Sequence, residues 1–558
     1  MSIAQTASSE SELDASLDVL SRGASVLSHM SLDQRIELLR GCIEGVGAVS
    51  RDWVNAACEA KRIPRDSPAR TEEVTAGPLA TLRFLQLTLQ TYQDIRVHGS
   101  PRLPAPVEHV SGQCRVPVFP TRQLYDGLLF RPMTAETWLH SSINPDAVSA
   151  RGTERVLGRD VDPEVVAVLG AGNVSSIPAT DALTMIFLER NVVALKMNPV
   201  NDYLGPYLQT GFRPLIDAGL LQIAYGGIES GKYFIDDHRT DRVHITGSIQ
   251  SHNNIVWGTG QQGEQRRLEN RPVLEKAITS ELGNVSPWAV VPGRYSESEL
   301  RSQVELIATS IVNNVSFNCI ATKIILTSRD WPQRQRFYEL LNELLRSIPL
   351  RYAYYPGASE RFEKFSGRPA ENPRRLPWTL LHDIDPAEAP HLLREESFTP
   401  VCAELVVDAE SDVDFLYRCV DMMNEQIWGT LATNLTVTND FQVRHAADLD
   451  DALRKLRYGT IAINQWAALS FALISPPWGG YPESSLADAQ SGIGFVHNTF
   501  LLDRPEKTVL RGPLRTKPKP IWDSTHRHPE RVAWDLLDLY RSPSMLRLPK
   551  LCISSFTG

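Results

Sequence analysis

VVAVLGAGNVSSIP, residues 165–178, is the stretch on which the fold turns. Val165 to Leu169 is an apolar run too short for a buried helix and rich in β-branched residues, and it opens into the glycine turn Gly170-Ala171-Gly172-Asn173. The run recurs as VVALK (192–196), LQIAY (221–225) and RVHIT (242–246), with helix-compatible sequence between at least the first three. Short apolar strands at this interval, separated by helices, are parallel βαβ units. A second series follows: VSPWAVV (285–291), ATKIILTS (321–328), CAELVVDA (402–409) and RYGTIAIN (457–464). The chain therefore reads as α/β, with two doubly wound, Rossmann-like domains.

Working outward, Ser31 and Gln34 have capping-box spacing, and Leu32, Ile36, Leu39, Ile43 and Val46 recur at helical intervals, so a helix is expected over 31–46. Residues 1–30 read as a mobile lead-in. Leu79, Leu82, Leu85 and Leu89 mark a second helix, after which Pro101, Pro104, Pro106, Pro117 and Pro120 argue against long elements. Beyond about residue 505 the sequence becomes rich in proline and basic residues (RGPLRTKPKP), then helix-like from Val532 to Tyr540.

The 558 residues can fill several cores, and 42% hydrophobic with 22% charged residues excludes wholesale disorder. A net charge of -9 without a long basic run argues against nucleic acid and anionic lipid as partners. The seven cysteines lie at least 16 residues apart, so neither a disulfide framework nor a zinc site is expected, and the basic cluster His526, Arg527 and His528 reads as surface. The acidic, polar N-terminus lacks a secretory signal, which points to the cytoplasm. The charge-free stretch 458–482 contains Asn464, Gln465, Pro476, Pro477, Gly479 and Gly480 and reads as buried core and loop, not a membrane span.

Gly170 to Ser175 could bring backbone N–H groups to a phosphate, but the second strand ends in Lys196, where a standard dinucleotide site has an acidic ribose ligand. A standard Rossmann site is thereby disfavoured and a variant one left open. The ordered set of segments is more specific. VVAVLGAGNVSSIP resembles the aldehyde dehydrogenase strand and loop that supply an oxyanion-binding Asn, VVALKMNP the cofactor-binding Lys strand, and HITGS the "FTGS" turn. SELGNVSP resembles "ELGGxSP", NNVSFNCIATKIIL resembles "NxGQxCxAxxR", and EESFTPV resembles "EEIFGPV"; NQWAALS and PPWGGYPESSLA stand where the family has "PFGGxKxSG". The resemblance spans roughly residues 30–500.

It implies that Cys319 attacks an aldehyde, that Asn173 and the Cys319 backbone N–H hold the oxyanion, and that Glu281 activates the hydrolytic water. Glu396, with Phe398 beside it, would bind the nicotinamide ribose. Lys196, Ser248, Gly227 and Gly231 would contact the rest of an NAD or NADP cofactor. The implied division is a cofactor domain over 31–282 with an oligomerisation excursion near 125–160, a catalytic domain over 283–497, and a C-terminal oligomerisation strand and tail over 498–558. The expected partners are a small-molecule aldehyde and further copies of the chain, as a homodimer or homotetramer; Trp466, Phe471 and Trp478 hint at an apolar or aromatic aldehyde.

The sequence also departs from the family. Ser316 and Phe317 replace the Gly and Gln before the nucleophile, leaving the shape of that loop and aldehyde access open. Pro199 stands where an NAD-selective Glu is often found, so either NAD or NADP fits. Two other readings keep the fold: an acylating dehydrogenase or acyl-thioester reductase, and a catalytically idle structural subunit. Retention of Glu281 favours water as acyl acceptor.

Overall fold

The computed structural model describes residues 5–159 and 161–556. Its first sheet contains β4 (Val165–Leu169), β5 (Val192–Lys196), β6 (Leu221–Ala224), β7 (Arg242–Thr246), β8 (Ala277–Glu281) and the short β15 (Gly492–Ile493), in the order β15-β8-β7-β4-β5-β6. Strands β4 to β8 run parallel, and the central β4 and β5 are buried along nearly their whole length, which explains their nearly continuous apolar sequences. The winding reverses between β4 and β7. The Gly170–Asn173 turn and the Thr246–Ser248 turn consequently flank one crevice at the carboxyl ends of the strands.

The second sheet has the order β1-β2-β3-β16-β14-β13-β9-β10-β12-β11. Its parallel part comprises β9 (Ser286–Val290), β10 (Thr322–Ser328), β11 (Thr379–Leu381), β12 (Val401–Val407), β13 (Ala432–Thr436), β14 (Thr460–Ile463) and β16 (Pro505–Arg511). Antiparallel β3 (Thr134–Leu139), β2 (Gln113–Phe119) and β1 (Glu108–Val110) extend it beyond β16. The excursion and the C-terminal strand thus join the sheet of their own chain, and the excursion begins earlier than residue 125. It occupies part of the proline-rich stretch that was expected to lack long elements. Pro117 fits there because the pairing with β3 shifts between Pro117 and Phe119, a local irregularity that absorbs its missing N–H.

The expected mobile lead-in is corrected. Helix Glu10–His29 starts from a capping box formed by Ser9 and Glu12 and buries Leu13, Leu17, Leu20 and Leu27 against β4, β5 and β6. Gly23 permits a close approach, since a Cβ there would stand 1.9 Å from the Gly219 carbonyl oxygen. Residues 1–4 of that segment lie outside the described residues. The helix expected over 31–46 runs from Leu32–Ala60, with Ser31 and Gln34 forming the anticipated box.

The tail packs on its own chain. Helix Pro529–Arg541 buries Val532, Leu536, Leu537 and Tyr540, and His526, read as surface, is buried too. Arg83, itself fully buried, fixes this helix. Its guanidinium donates to both carboxylate oxygens of Asp126 at 2.9 Å, to the Tyr540 hydroxyl at 2.7 Å and to the Leu473 carbonyl at 2.7 Å. Among the described residues no helix is long and apolar enough to cross a membrane, and the charge-free stretch forms β14, helix Ala468–Leu473 and their connections.

Removing one partner of a buried ion pair leaves an uncompensated charge, at a cost of about 3–5 kcal/mol. Arg83→Met should therefore lower the Tm markedly, and Arg83→Met/Asp126→Leu should recover most of the loss. Calorimetric unfolding of both variants checks this, and equal Tm values for the single and double variants would refute it.

Candidate active site

Cys319 lies between helix Glu297–Val312 and β10, and Glu281 is the last residue of β8. The Cys319 Sγ stands 3.4 Å from Glu281 Oε1 and is placed to donate its proton to it. Burial pushes the Glu281 carboxyl up to about 8, with a further contribution from the Asp181 carboxylate, and burial likewise raises the Cys319 thiol, aided by Glu281 and Glu396. Asp181 sits behind this pair. Its Oδ2 accepts from the Thr246 hydroxyl at 2.7 Å, and the β7–β8 register sets Thr246 beside Glu281. The Trp478 indole N–H lies against the Glu281 carboxyl, where its hydrogen bond opposes part of the upward shift, and both residues border the same cavity.

The backbone before Cys319 is strained. Asn314, Val315 and Ser316 have φ of 50°, 58° and 64°, the left-handed region that glycine enters freely and β-branched residues avoid. Each such residue costs on the order of 1–3 kcal/mol and persists only where its surroundings enforce it. Here they do: Glu72 Oε2 accepts from the Asn314 N–H at 3.0 Å, and the Asn314 side chain donates to the carbonyls of Asn173 and Phe317, both at 2.9 Å. Lys323 donates to the Ser316 carbonyl at 3.0 Å and to its hydroxyl at 2.7 Å. Ser316 thus holds a positive φ that glycine would adopt without strain.

Asn173 is brought against this loop. Its side-chain amide donates to the Phe317 carbonyl at 3.1 Å, which uses one of its two N–H donors. Its own carbonyl accepts from Lys61 Nζ at 3.0 Å, Asn314 Nδ2 at 2.9 Å and the Tyr354 hydroxyl at 2.9 Å. Lys61 also donates to Glu73 at 2.7 Å and to Asn314 Oδ1 at 3.1 Å. Burial alone favours its neutral form, but Glu73, Tyr354 and Glu72 together outweigh that and raise the Lys61 pKa. Sequence reasoning missed Lys61, Glu73, Tyr354 and Lys323. Lys61 follows an ordinary amphipathic helix and meets Asn314 across 253 residues of chain, so no local pattern marks it.

Glu396 and Phe398 reach the same region. The Glu396 carboxyl is pushed up to about 7 by burial, with Lys323 opposing the shift. Gly283 lets this carboxyl approach the backbone, since a Cβ there would stand 2.1 Å from Glu396 Oε2 and would displace it. Phe398 packs edge-on against Tyr355, with ring centres 4.9 Å apart. The remaining predicted residues line the crevice at the ends of β5, β6 and β7. Lys196 donates to the Gly226 carbonyl at 3.3 Å, and its pKa is lowered by burial. Gly227 precedes helix Ile228–Asp236 with open space around its Cα, Gly231 lies in that helix's first turn beside Lys196, and Ser248 caps helix Ile249–Trp257. Two helix N-termini, an open glycine turn and a lysine at a topological switch point fit a dinucleotide pyrophosphate and ribose.

A largely apolar cavity of about 140 Å³ opens over Cys319 and Glu281. Trp466, Phe471 and Trp478, singled out in the sequence, all line it.

Lys61→Met should leave Glu73 buried without its cation, lower the Tm and loosen the strained loop. Hydrogen exchange over residues 313–318 should accelerate at least tenfold, whereas Lys61→Arg should largely preserve protection. Unchanged exchange in Lys61→Met would show that the loop is held without this network.

No protein-family model matches the chain, and no curated protein matches it in sequence. Solved structures do match it in shape. The aldehyde dehydrogenase KauB from Pseudomonas aeruginosa aligns over 90% of this chain and 88% of its own, with a TM-score of 0.59 at 15% identity. Glyceraldehyde-3-phosphate dehydrogenase GapN from Methanocaldococcus jannaschii, solved with NADP, aligns over 91% and 95%, with a TM-score of 0.57 at 14% identity. A Mycobacterium tuberculosis aldehyde dehydrogenase, solved with NAD+, aligns over 92% of both chains, with a TM-score of 0.57 at 15% identity. The chain has the fold of the aldehyde dehydrogenases.

Proposed function

We propose that this protein oxidises an aldehyde to a carboxylic acid, with NAD or NADP as hydride acceptor, through a covalent intermediate on Cys319. The observation that carries this reading is the pairing of the Cys319 thiol with the Glu281 carboxylate at 3.4 Å, on the wall of a buried cavity beside the cofactor crevice. The fold neighbours solved with NADP and with NAD+ support either dinucleotide. In this reading residues 31–282 supply the cofactor site and 283–497 the nucleophile.

Glu281 takes the thiol proton, and the Cys319 thiolate adds to the aldehyde carbon. The second N–H of the Asn173 amide and the Cys319 backbone N–H stabilise the resulting oxyanion. The bound nicotinamide supplies the hydride acceptor, in the crevice fixed by Lys196, Gly227, Gly231, Ser248, Glu396 and Phe398. Collapse of the oxyanion re-forms the carbonyl as the C–H bond breaks and its electron pair leaves with the hydrogen as hydride, so that a thioester remains on Cys319. Glu281, having released its proton, then removes one from water. The hydroxyl oxygen bonds to the thioester carbon, the C–S bond breaks, and the acid leaves as the thiolate is restored.

Hydrolysis needs ionised Glu281, whose pKa lies at about 8, so kcat should rise with pH through that value and level off above it. Glu281→Gln should lower kcat by ~10²–10⁴ and remove the inflection, while retaining a slower but stoichiometric burst of absorbance at 340 nm. Cys319→Ala should abolish both burst and turnover. Undiminished turnover in either variant, measured with a panel of aldehydes and both cofactors, would overturn the proposal.

A further inference from the structure

We propose that the C-terminal segment 512–556 completes a two-chambered substrate channel and selects aldehydes with an extended apolar chain; this rests on the aldehyde-oxidising reading above. Five side chains on the far wall of the cavity over Cys319 are Phe130, Met133, Ile521, Trp522 and Leu536. The same five form a wall of a second chamber of about 100 Å³, lined further by Val532 and Leu551 and, away from the partition, by Arg131, Lys517 and Lys519. The two chambers are therefore separated by one layer of side chains, three of them from the C-terminal segment. Side-chain rotation alone can open such a partition, with no break in a strand or helix.

The partition is chemically selective. It carries no charged group, and its one polar side-chain atom, the Trp522 indole N–H, is buried without a partner. A polar substrate chain crossing it loses hydration without regaining hydrogen bonds, whereas an alkyl chain gains from each buried methylene. The segment is also fixed in place. Tyr540 is held by Arg83 at 2.7 Å, the Ser524 N–H donates to the Thr309 hydroxyl at 3.0 Å, and Lys519 pairs with Glu305 at 3.3 Å. The channel wall is thus anchored to both halves of the molecule.

The decisive experiment follows a series of n-alkanals from propanal to dodecanal with the full-length enzyme. Wild-type kcat/KM should rise about fourfold per methylene until the channel is filled. Ile521→Trp fills the partition and should lower the dodecanal-to-propanal ratio of kcat/KM at least tenfold; Met133→Trp, across the same partition, should do likewise should the first variant prove unstable. A second readout separates this proposal from the catalytic one. Calorimetric titration of the Cys319→Ala protein with dodecanoate and propanoate should show preference for dodecanoate, lost on adding Ile521→Trp. If no aldehyde is oxidised but this preference is found, the catalytic reading fails and the channel stands. A flat chain-length dependence, or a ratio unchanged in both folded variants, overturns the channel.

Discussion

Three hydrogen bonds converge on the carbonyl oxygen of Asn173, from Lys61, Asn314 and Tyr354, and the arrangement of the site depends on them. They join the glycine turn after β4 to the strained loop before Cys319, two segments that belong to different sheets. A left-handed run through a β-branched residue does not persist by its own propensity. Lys61, which bonds to both Asn173 and Asn314, brings a charge into the interior and is compensated there by Glu73. A charge-assisted hydrogen bond in a dry environment is stronger than its neutral counterpart, and a half-satisfied network there is worse than none. The same residues therefore position the loop that precedes Cys319 and make that position intolerant of change.

The electrostatics around Cys319 follow from the same burial. Two carboxyls and a thiol share a region with little water; burial raises the proton affinity of all three, and the two carboxyls raise that of the Cys319 thiol further. Burial thus favours the protonated form of both partners in the 3.4 Å contact between Cys319 and Glu281. Lys323 offsets part of this by lying near Glu396 while holding Ser316, so one ammonium group serves both the charge balance and the backbone geometry.

Much of this was legible in the sequence because it is local. The apolar runs at 165–169, 192–196, 221–225 and 242–246 became β4 to β7, and Asn173 and Glu281 stand at the ends of strands whose apolar runs mark them. What was not legible is long-range or weakly patterned. β13, ATNLT, carries too many polar residues to read as a buried strand, yet Asn434 and the flanking threonines are buried in a hydrogen-bonded interior. The lead-in helix Glu10–His29 has a clear capping box at Ser9 and Glu12 and leucines at helical spacing; its acidic first turn and the polar residues around them masked a face wide enough to pack. Lys61 and Tyr354 acquire their roles only from the folded geometry.

The chain also shows how a terminal segment can become part of a core. β16 pairs with β14 on one side and β3 on the other, so the sheet continues from the parallel strands into the excursion without an open edge. This placement delivers the chain, from Gly512 onward, to the side of the sheet where the cavity lies. Arg83 then draws Tyr540 against the Leu473 carbonyl and Asp126, and the helix carrying Tyr540 presents Leu536 to the cavity from the same face. A buried ion pair is weak evidence for stability, because desolvating both charges offsets their attraction. It is stronger evidence for specificity of arrangement: an apolar contact would let the helix slide, whereas the bidentate Arg83–Asp126 pair fixes the guanidinium plane and, through it, where the tail meets the wall of the site.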